Sequence, residues 1–333
     1  MMTRVIVVIL TCSVISPAQP SAATVTGTYH FTTPQTAVSL QEAATLIRSV
    51  ASIPQVSVDI PTASLAFSGP GAGVNFAEWV LPQIDRATGD DAVHEYRMPT
   101  GDVGRVRFVL NPEKPQELQE LLTILRTVAD VQKMFTFALN RAFVLLGPDW
   151  QIAFAGWIID QIDQPIQQKP DSAPREFTVG GPDFRGMGHG ARLNFLSNMT
   201  TRQQNQEVLT VLRTVGDIQK LFSYSTSHAF VFRGNDSDLQ RAEWIIQQLE
   251  LPAGQASGPA SFTAPAGDDV TRIFRLRNAS QQWIQAAVTA LRSELNIRKI
   301  FSTTVPANII VRGTTDQIAA SATWMAAHNA LIE

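Results

Sequence analysis

The hydrophobic and polar positions of this chain repeat. Leu125–Gly147 reads LRTVADVQKMFTFALNRAFVLLG, Leu212–Gly234 reads LRTVGDIQKLFSYSTSHAFVFRG and Leu291–Gly313 reads LRSELNIRKIFSTTVPANIIVRG, with a weaker copy at Ile47–Gly69. In all four an Arg (48, 126, 213, 292) lies 21 residues before a Gly (69, 147, 234, 313) without a gap. Repetition of this kind marks one supersecondary unit copied in tandem.

Each copy predicts strand, helix, strand, strand, helix. In the last, Arg272–Leu276 alternates charged and apolar residues, as a half-buried strand does. Ile284, Ala287, Val288 and Leu291 then form one helical stripe, which Leu118, Leu121, Leu122 and Leu125 repeat. Lys299–Thr304 and Ile309–Arg312 are β-rich runs joined as a hairpin, and the apolar positions from Ile318 to Leu331 predict a closing helix. Aromatic residues keep register. Phe108, Phe195 and Phe274 each stand 18 residues before the repeated Arg, with His30 there in the first copy. Phe135, Phe222 and Phe301 mark the first hairpin strand; Phe143, Phe230 and Ile309 mark the second. Trp79, Trp157 and Trp244 lie 10 residues after the Gly, and Trp324 one residue later than that pattern.

The fold expected is α+β: four tandem small βαββα domains at 24–88, 92–163, 174–250 and 270–333. Units two and three carry an extra N-terminal strand, His94–Met98 and Arg175–Val179. The stretch 251–269, rich in Ala, Gly, Pro and Ser, reads as a linker. A core of roughly 60 residues is marginal alone, yet connections this long predict small domains on a string, oriented independently.

Composition adds a location. The 333 residues carry a formal charge of −3, which implies no strong field for nucleic acid or an anionic membrane. Residues 1–23 read as a signal peptide: Arg4, the apolar run Val5–Leu10, and small residues up to Ala23, after which cleavage is expected. Cys12, the one cysteine, lies inside that segment. Ile, Leu and Thr precede it where a lipoprotein signal normally ends in a small residue, so a lipid anchor there is not expected. The mature chain then has no thiol for disulfides, thiolate zinc sites or nucleophilic chemistry. The expected location is periplasmic or secreted.

Candidate chemistry is sparse. The repeated arginines read either as partner contacts or as residues at helix C-termini, favoured by the dipole and nearby carbonyls. The repeated glycines read as strand ends where φ is positive or the next helix packs close. The tryptophans are core residues of closing helices or interface anchors. The run Gly186-Met187-Gly188-His189-Gly190 offers backbone N–H groups to an anion but lacks a P-loop Lys-Ser/Thr, and a plain connector explains it. His30, His94, His189, His228 and His328 show no metal-ligand spacing. Asp90-Asp91 and Asp268-Asp269 read as linker charges. No catalytic, cofactor-binding or metal residue is assigned, and no enzyme activity is expected. A βαββα unit is also KH-like, but no unit has the basic GxxG loop that clamps nucleic acid.

RIFRLRNA followed by a helix and then ANIIVRGTTDQIAAS resembles the short N-terminal periplasmic domains of bacterial secretins. Asn308, Ile309, Ile310, Val311 and Gly313 match the typical ending of those domains, as do Asn140 (displaced), Phe143, Val144 and Gly147. Ile162-Asp163 and Leu249-Glu250 close their helices in the expected way. The secretin pore is missing from the pattern, since no alternating membrane strands follow. The resemblance implies the ring-building βαββα part: a non-enzymatic periplasmic scaffold or adaptor with protein partners or self-assembly in the envelope. A soluble binding protein for a peptide, glycan or cell-wall fragment is the alternative.

Overall fold

The computed structural model describes residues 24–89, 92–164, 173–178, 190–251, 260–265, 267–277 and 279–328. The expected cleavage after Ala23, Cys12, the pair Asp90-Asp91 and the glycine run through His189 lie outside those residues.

The first unit runs β1 (Thr24–His30), α1 (Ala37–Ser49), β2 (Gln55–Asp59), β3 (Ser64–Pro70) and α2 (Gly71–Ile84). The second places β4 (His94–Arg97) ahead of β5 (Val103–Phe108), α3 (Pro115–Thr127), β6 (Lys133–Phe137), β7 (Ala142–Gly147) and α4 (Asp149–Ile162). The third repeats this as β8 (Arg175–Thr178), β9 (Gly190–Phe195), α5 (Arg202–Thr214), β10 (Lys220–Tyr224), β11 (Ala229–Gly234) and α6 (Asp236–Leu249). The fourth is β12 (Ala260–Thr263), β13 (Val270–Arg275), α7 (Gln281–Glu294), β14 (Lys299–Thr304), β15 (Ala307–Gly313) and α8 (Thr315–Ala327). Every sheet is antiparallel, with its last hairpin strand in the middle: β1-β3-β2, then β4-β5-β7-β6, β8-β9-β11-β10 and β12-β13-β15-β14.

Local chemistry sets the elements. Thr36, Thr201 and Thr314 form capping boxes with Ser39, Gln204 and Gln317, satisfying helix-start amides that would otherwise be orphaned. Pro115 begins α3, where its missing N–H costs nothing. The acidic residue that closes three of the units, 16 after the repeated Gly, is a clasp. Asp85 accepts the amides of Thr32 (2.7 Å) and Thr33 (3.0 Å). Asp163 accepts those of Leu110 and Asn111, and Glu250 those of Ser197, Asn198 and Met199. The carboxylate ties the end of the unit to the turn after its first core strand.

Three expectations change. A third extra strand, β12, lies inside 251–269; Phe262 and the pairing of Ala260 with Ile273 hold it on the sheet despite its linker-like composition. Asp268 and Asp269 are not free linker charges: Asp268 accepts the Thr315 amide at 2.6 Å, and Asp269 binds Arg241 and Arg312. Phe274 is not the counterpart of Phe108 and Phe195. Those two pair with Ala142 and Ala229, five residues before the repeated Gly; at that register in the fourth sheet Arg275 pairs with Asn308. A one-residue offset exchanges sheet faces, so Phe274 lies in its own unit's core while Phe108 and Phe195 pack against the unit before.

That last difference overturns the string of independent domains. The sheets of units two to four each have two apolar faces, one on their own helices and one on the preceding unit. Val106, Phe108, Val144 and Leu146 share a cluster with Leu46, Ile47 and Val50. Ala191, Leu193, Phe195 and Val231 share one with Leu121 and Ile124. Ile273 and Ile310 share one with Val211 and Val215.

Candidate functional site

The three junctions share a carboxylate contact at the same register. A Glu six residues before the repeated Arg reaches from the first helix of one unit to the hairpin of the next. Glu42 accepts the amide of Ala138 (3.2 Å), Glu120 that of Ser225 (2.9 Å) and Glu207 that of Thr304 (3.0 Å). The three donors each lie nine residues before their unit's Gly. Ser225 and Thr304 add their hydroxyls to the same carboxylates.

A second contact closes the other end of the helix. Four residues after each repeated Arg the backbone is left-handed, at Ser52, Asp130, Asp217 and Asn296, with φ of 58°, 59°, 64° and 52°. Asp and Asn tolerate that conformation better than most residues, but a carboxylate at a helix C-terminus opposes the dipole. The compensation comes from the next unit. Asp130 binds Lys220 and the fully buried Arg233, and Asp217 binds Lys299 at 2.6 Å with Arg312 beside it at 3.8 Å. The Lys299 hydrogen bond leads in holding the Asp217 carboxyl below its ordinary range, against the opposing effect of burial.

The tryptophans are junction anchors. Trp79 meets Tyr96 (5.4 Å between rings), Trp157 meets Phe177 (5.4 Å) and Trp244 meets Phe262 (5.8 Å). Each partner lies on the extra strand of the following unit, so β4, β8 and β12 serve to bring one aromatic ring onto the preceding closing helix. Trp324, which meets no such strand among the described residues, stacks on His328 at 3.9 Å.

The repeated arginines do occupy last helical turns. The carbonyls they bind belong to their own unit's edge strand: Arg48 to Val56 (2.7 Å), Arg213 to Leu221 (3.1 Å) and Arg292 to Ile300 (3.0 Å). The repeated glycines are not left-handed, since positive φ among the described glycines is confined to Gly101 and Gly267. Two of them make room for the next helix: a Cβ on Gly147 or Gly313 would stand 2.7 or 2.6 Å from the side-chain oxygen of Gln151 or Gln317, whereas one on Gly69 or Gly234 would first meet Ile53 or Ile218 at 3.4 or 3.3 Å. No group of three or more potential metal ligands occurs among the described residues, and no described helix is long and apolar enough to cross a membrane.

The two ends of the stack depart from this register. On the sheet face that units two to four turn toward the preceding unit, the first unit has Ser57 for Phe135, Phe222 and Phe301. It has Thr28 for Val106, Leu193 and Ile273, and Ser68 for Leu146, Arg233 and Arg312. Thr26, Thr28, His30, Gln55, Ser57 and Asp59 are exposed there. On α7, Ala286 takes the place of the junction Glu. Ala290 stands for Leu46, Ile124 and Val211, and Asn296 for the Asp. Glu294 stands for Val50, Val128 and Val215, all three of which are fully buried, and is itself exposed. In a repeat stack, polar outer faces belong to terminal caps.

The junction carboxylates were not singled out from sequence, although a signal was present: they recur at fixed offsets from an Arg already seen to recur.

No protein-family model matches the chain, and no curated protein matches it either. Among solved structures it is similar to Aeromonas hydrophila ExeD, at 18% identity over 68% of this chain and 41% of that one, with a TM-score of 0.17. It is similar to the type II secretion system secretin GspD of E. coli K12 at 13% identity, over 69% and 39% of the two chains, TM-score 0.16. It is similar to a chain of the ETEC pilotin–secretin AspS–GspD complex at 15% identity, over 90% and 54%, TM-score 0.16. The chain thus spans about two-fifths to about half the length of those chains. The two GspD chains are secretins.

Proposed function

We propose that this chain is a non-enzymatic periplasmic scaffold or adaptor for protein assembly in the cell envelope. The observation that carries this is the junction set: the recurring carboxylates and tryptophans bind other parts of the same chain. Units of roughly 60 residues that bury one sheet face against a neighbour gain stability only as a series. The product is an elongated set of exposed sheet edges and helix flanks held in fixed relation. Its polar ends leave the flanks as the surfaces on which partners dock.

Photo-crosslinking in intact cells tests the reading. A photoreactive residue is placed at flank position 139 and, separately, at end position 28 of an otherwise native chain. Crosslinks from the flank to one envelope protein, abolished by deleting that protein's gene, are the expected result. A chain that crosslinks from neither position, or whose alkaline phosphatase fusion is inactive because it stays in the cytoplasm, ends the proposal.

A further inference from the structure

The four edge strands beside the first helices, β2, β6, β10 and β14, present the same outward backbone groups, because all four hairpins share one register. In three units the repeated Arg donates to an outward carbonyl of that edge, at Val56, Leu221 or Ile300. The second unit is different. Its counterpart carbonyl is that of Met134, and Arg126 makes no hydrogen bond or ion pair among the described residues. Arg126 is exposed and lines a groove of about 730 Å³ between α3 and β6. Leu118, Leu122, Met134 and Leu139 give the groove an apolar wall, and Leu139 is 44% exposed. By the two-residue alternation of a strand, Met134, Thr136 and Ala138 point their backbone groups into this groove. The chain itself already uses the last of them: the Ala138 amide binds the Glu42 carboxylate. The N–H and C=O of Met134 and Thr136 remain as an open strand edge, bounded by a free cation at the Met134 end.

We propose that this groove binds an extended peptide by strand addition to β6, with an acidic side chain or terminal carboxylate of the peptide on Arg126 and an apolar side chain against Leu122 and Leu139. An added strand satisfies the open edge, which is otherwise a liability. Main-chain bonds supply affinity, and the charge and the apolar wall supply selection. The site lies on the flank of the second unit, beside the Glu42–Ala138 contact of the first junction, and stands whether or not the chain is an envelope scaffold.

The test uses the isotope-labelled full chain and a capped eight-residue peptide of alternating valine and threonine with an aspartate at each end. Amide shifts are expected at Met134, Thr136 and along α3. Arg126→Ala is expected to weaken this peptide about five-fold, and to leave a serine-ended version unchanged. Methylating the peptide's alternate amides on its pairing side is expected to abolish binding. Thr136→Pro, which removes one outward N–H, provides a second variant whose fold is checked by its melting temperature. No binding at millimolar peptide, equal shifts on β2, β10 and β14, or an aspartate-ended peptide indifferent to Arg126→Ala would overturn the assignment. Because the measurement needs only the isolated chain, failure of the scaffold reading in cells leaves its result standing.

Discussion

The Glu207 carboxylate on α5 takes both the amide (3.0 Å) and the hydroxyl (2.5 Å) of Thr304, 97 residues away at the end of β14. Glu207 is 9% exposed, so little water competes for it. A hydrogen bond to a charged, desolvated acceptor is worth about 1.5–3 kcal/mol. Glu207→Ala is expected to destabilise the folded chain by about 2 kcal/mol in urea unfolding followed by tryptophan fluorescence. Glu120→Ala, at a more open junction, should cost about 1 kcal/mol. Ala286→Asp, at the same helix position with no unit against it, should change stability by less than about 0.5 kcal/mol. Equal costs at all three positions would mean the junction bonds are not what the carboxylates contribute.

The tryptophan–aromatic pairs predict how the stack comes apart. Trp157 packs on both Phe154 of its own helix and Phe177 of the next unit. Its truncation removes a ring contact and much buried area, about 3 kcal/mol in all. Trp157→Ala should split a single calorimetric transition into two, because the third and fourth units lose an anchor to the first two. Trp324→Ala removes a ring that touches no following unit and should leave the transition single. Calorimetry on the two variants distinguishes these outcomes directly.

The element pattern was legible in the sequence because each strand and helix shows its own period, and the fixed Arg-to-Gly spacing admits no insertion. What was not legible was which face of each sheet is doubly buried. Phe135, Phe222 and Phe301 were visible as a recurring set, but an aromatic in a strand looks the same whether it faces its own helices or a neighbour's. The offset that turns Phe274 inward could be seen only in the pairing of Arg275 with Asn308. β12 was hidden by its composition: only Phe262 and its pairing partners distinguish it from the surrounding Ala, Gly and Pro. The caps carried the clearest unread signal, since Ser57 and Ser68 stand where the other copies hold bulky or charged residues.

Acid should loosen the Asp85 clasp and the cross-unit ion pairs of Asp217 and Asp269 together. Burial works to raise the Asp85 carboxyl, but hydrogen bonds from Thr33 and Thr32 hold it below its ordinary range. Asp269 is likewise held low by Arg312 and Arg241 against burial, and Asp217 chiefly by Lys299. A carboxyl whose folded pKa is depressed contributes stability that is fully present above its unfolded pKa, near 4, and is lost as pH falls through the folded value. Unfolding free energy is therefore expected to be flat from pH 7 to about 5 and to fall steeply below about 4. Asp85→Asn should lower stability at pH 7 and make the acid slope shallower. An unchanged slope in that variant would remove Asp85 from the set of groups responsible.

The end caps yield the most demanding prediction, because they claim that a solvent-exposed surface was made unlike its copies for a physical reason. The native first sheet offers Gln55, Ser57 and Ser68 where inner sheets offer Lys, Phe and Arg or Leu, and α7 offers Ala286 and Asn296 where inner helices offer Glu and, twice, Asp. Joining those two faces would bury hydroxyls and an amide against small side chains, with neither the carboxylate-to-amide bond nor the ion pair. Desolvating such groups without partners is unfavourable. The native chain is thus expected to show no end-to-end association by light scattering. Restoring the junction at both ends, with Thr28→Val, Gln55→Lys, Ser57→Phe and Ser68→Arg on one face and Ala286→Glu, Ala290→Leu, Glu294→Val and Asn296→Asp on the other, should produce head-to-tail oligomers whose mass rises with concentration. A heterologous contact of this kind propagates unless its rotation closes a ring. Each half of the set alone should leave a monomer, since one restored face meets an unrestored one. If the native chain already associates through these two faces, or the fully restored chain does not, the repeated residues do not specify the junction.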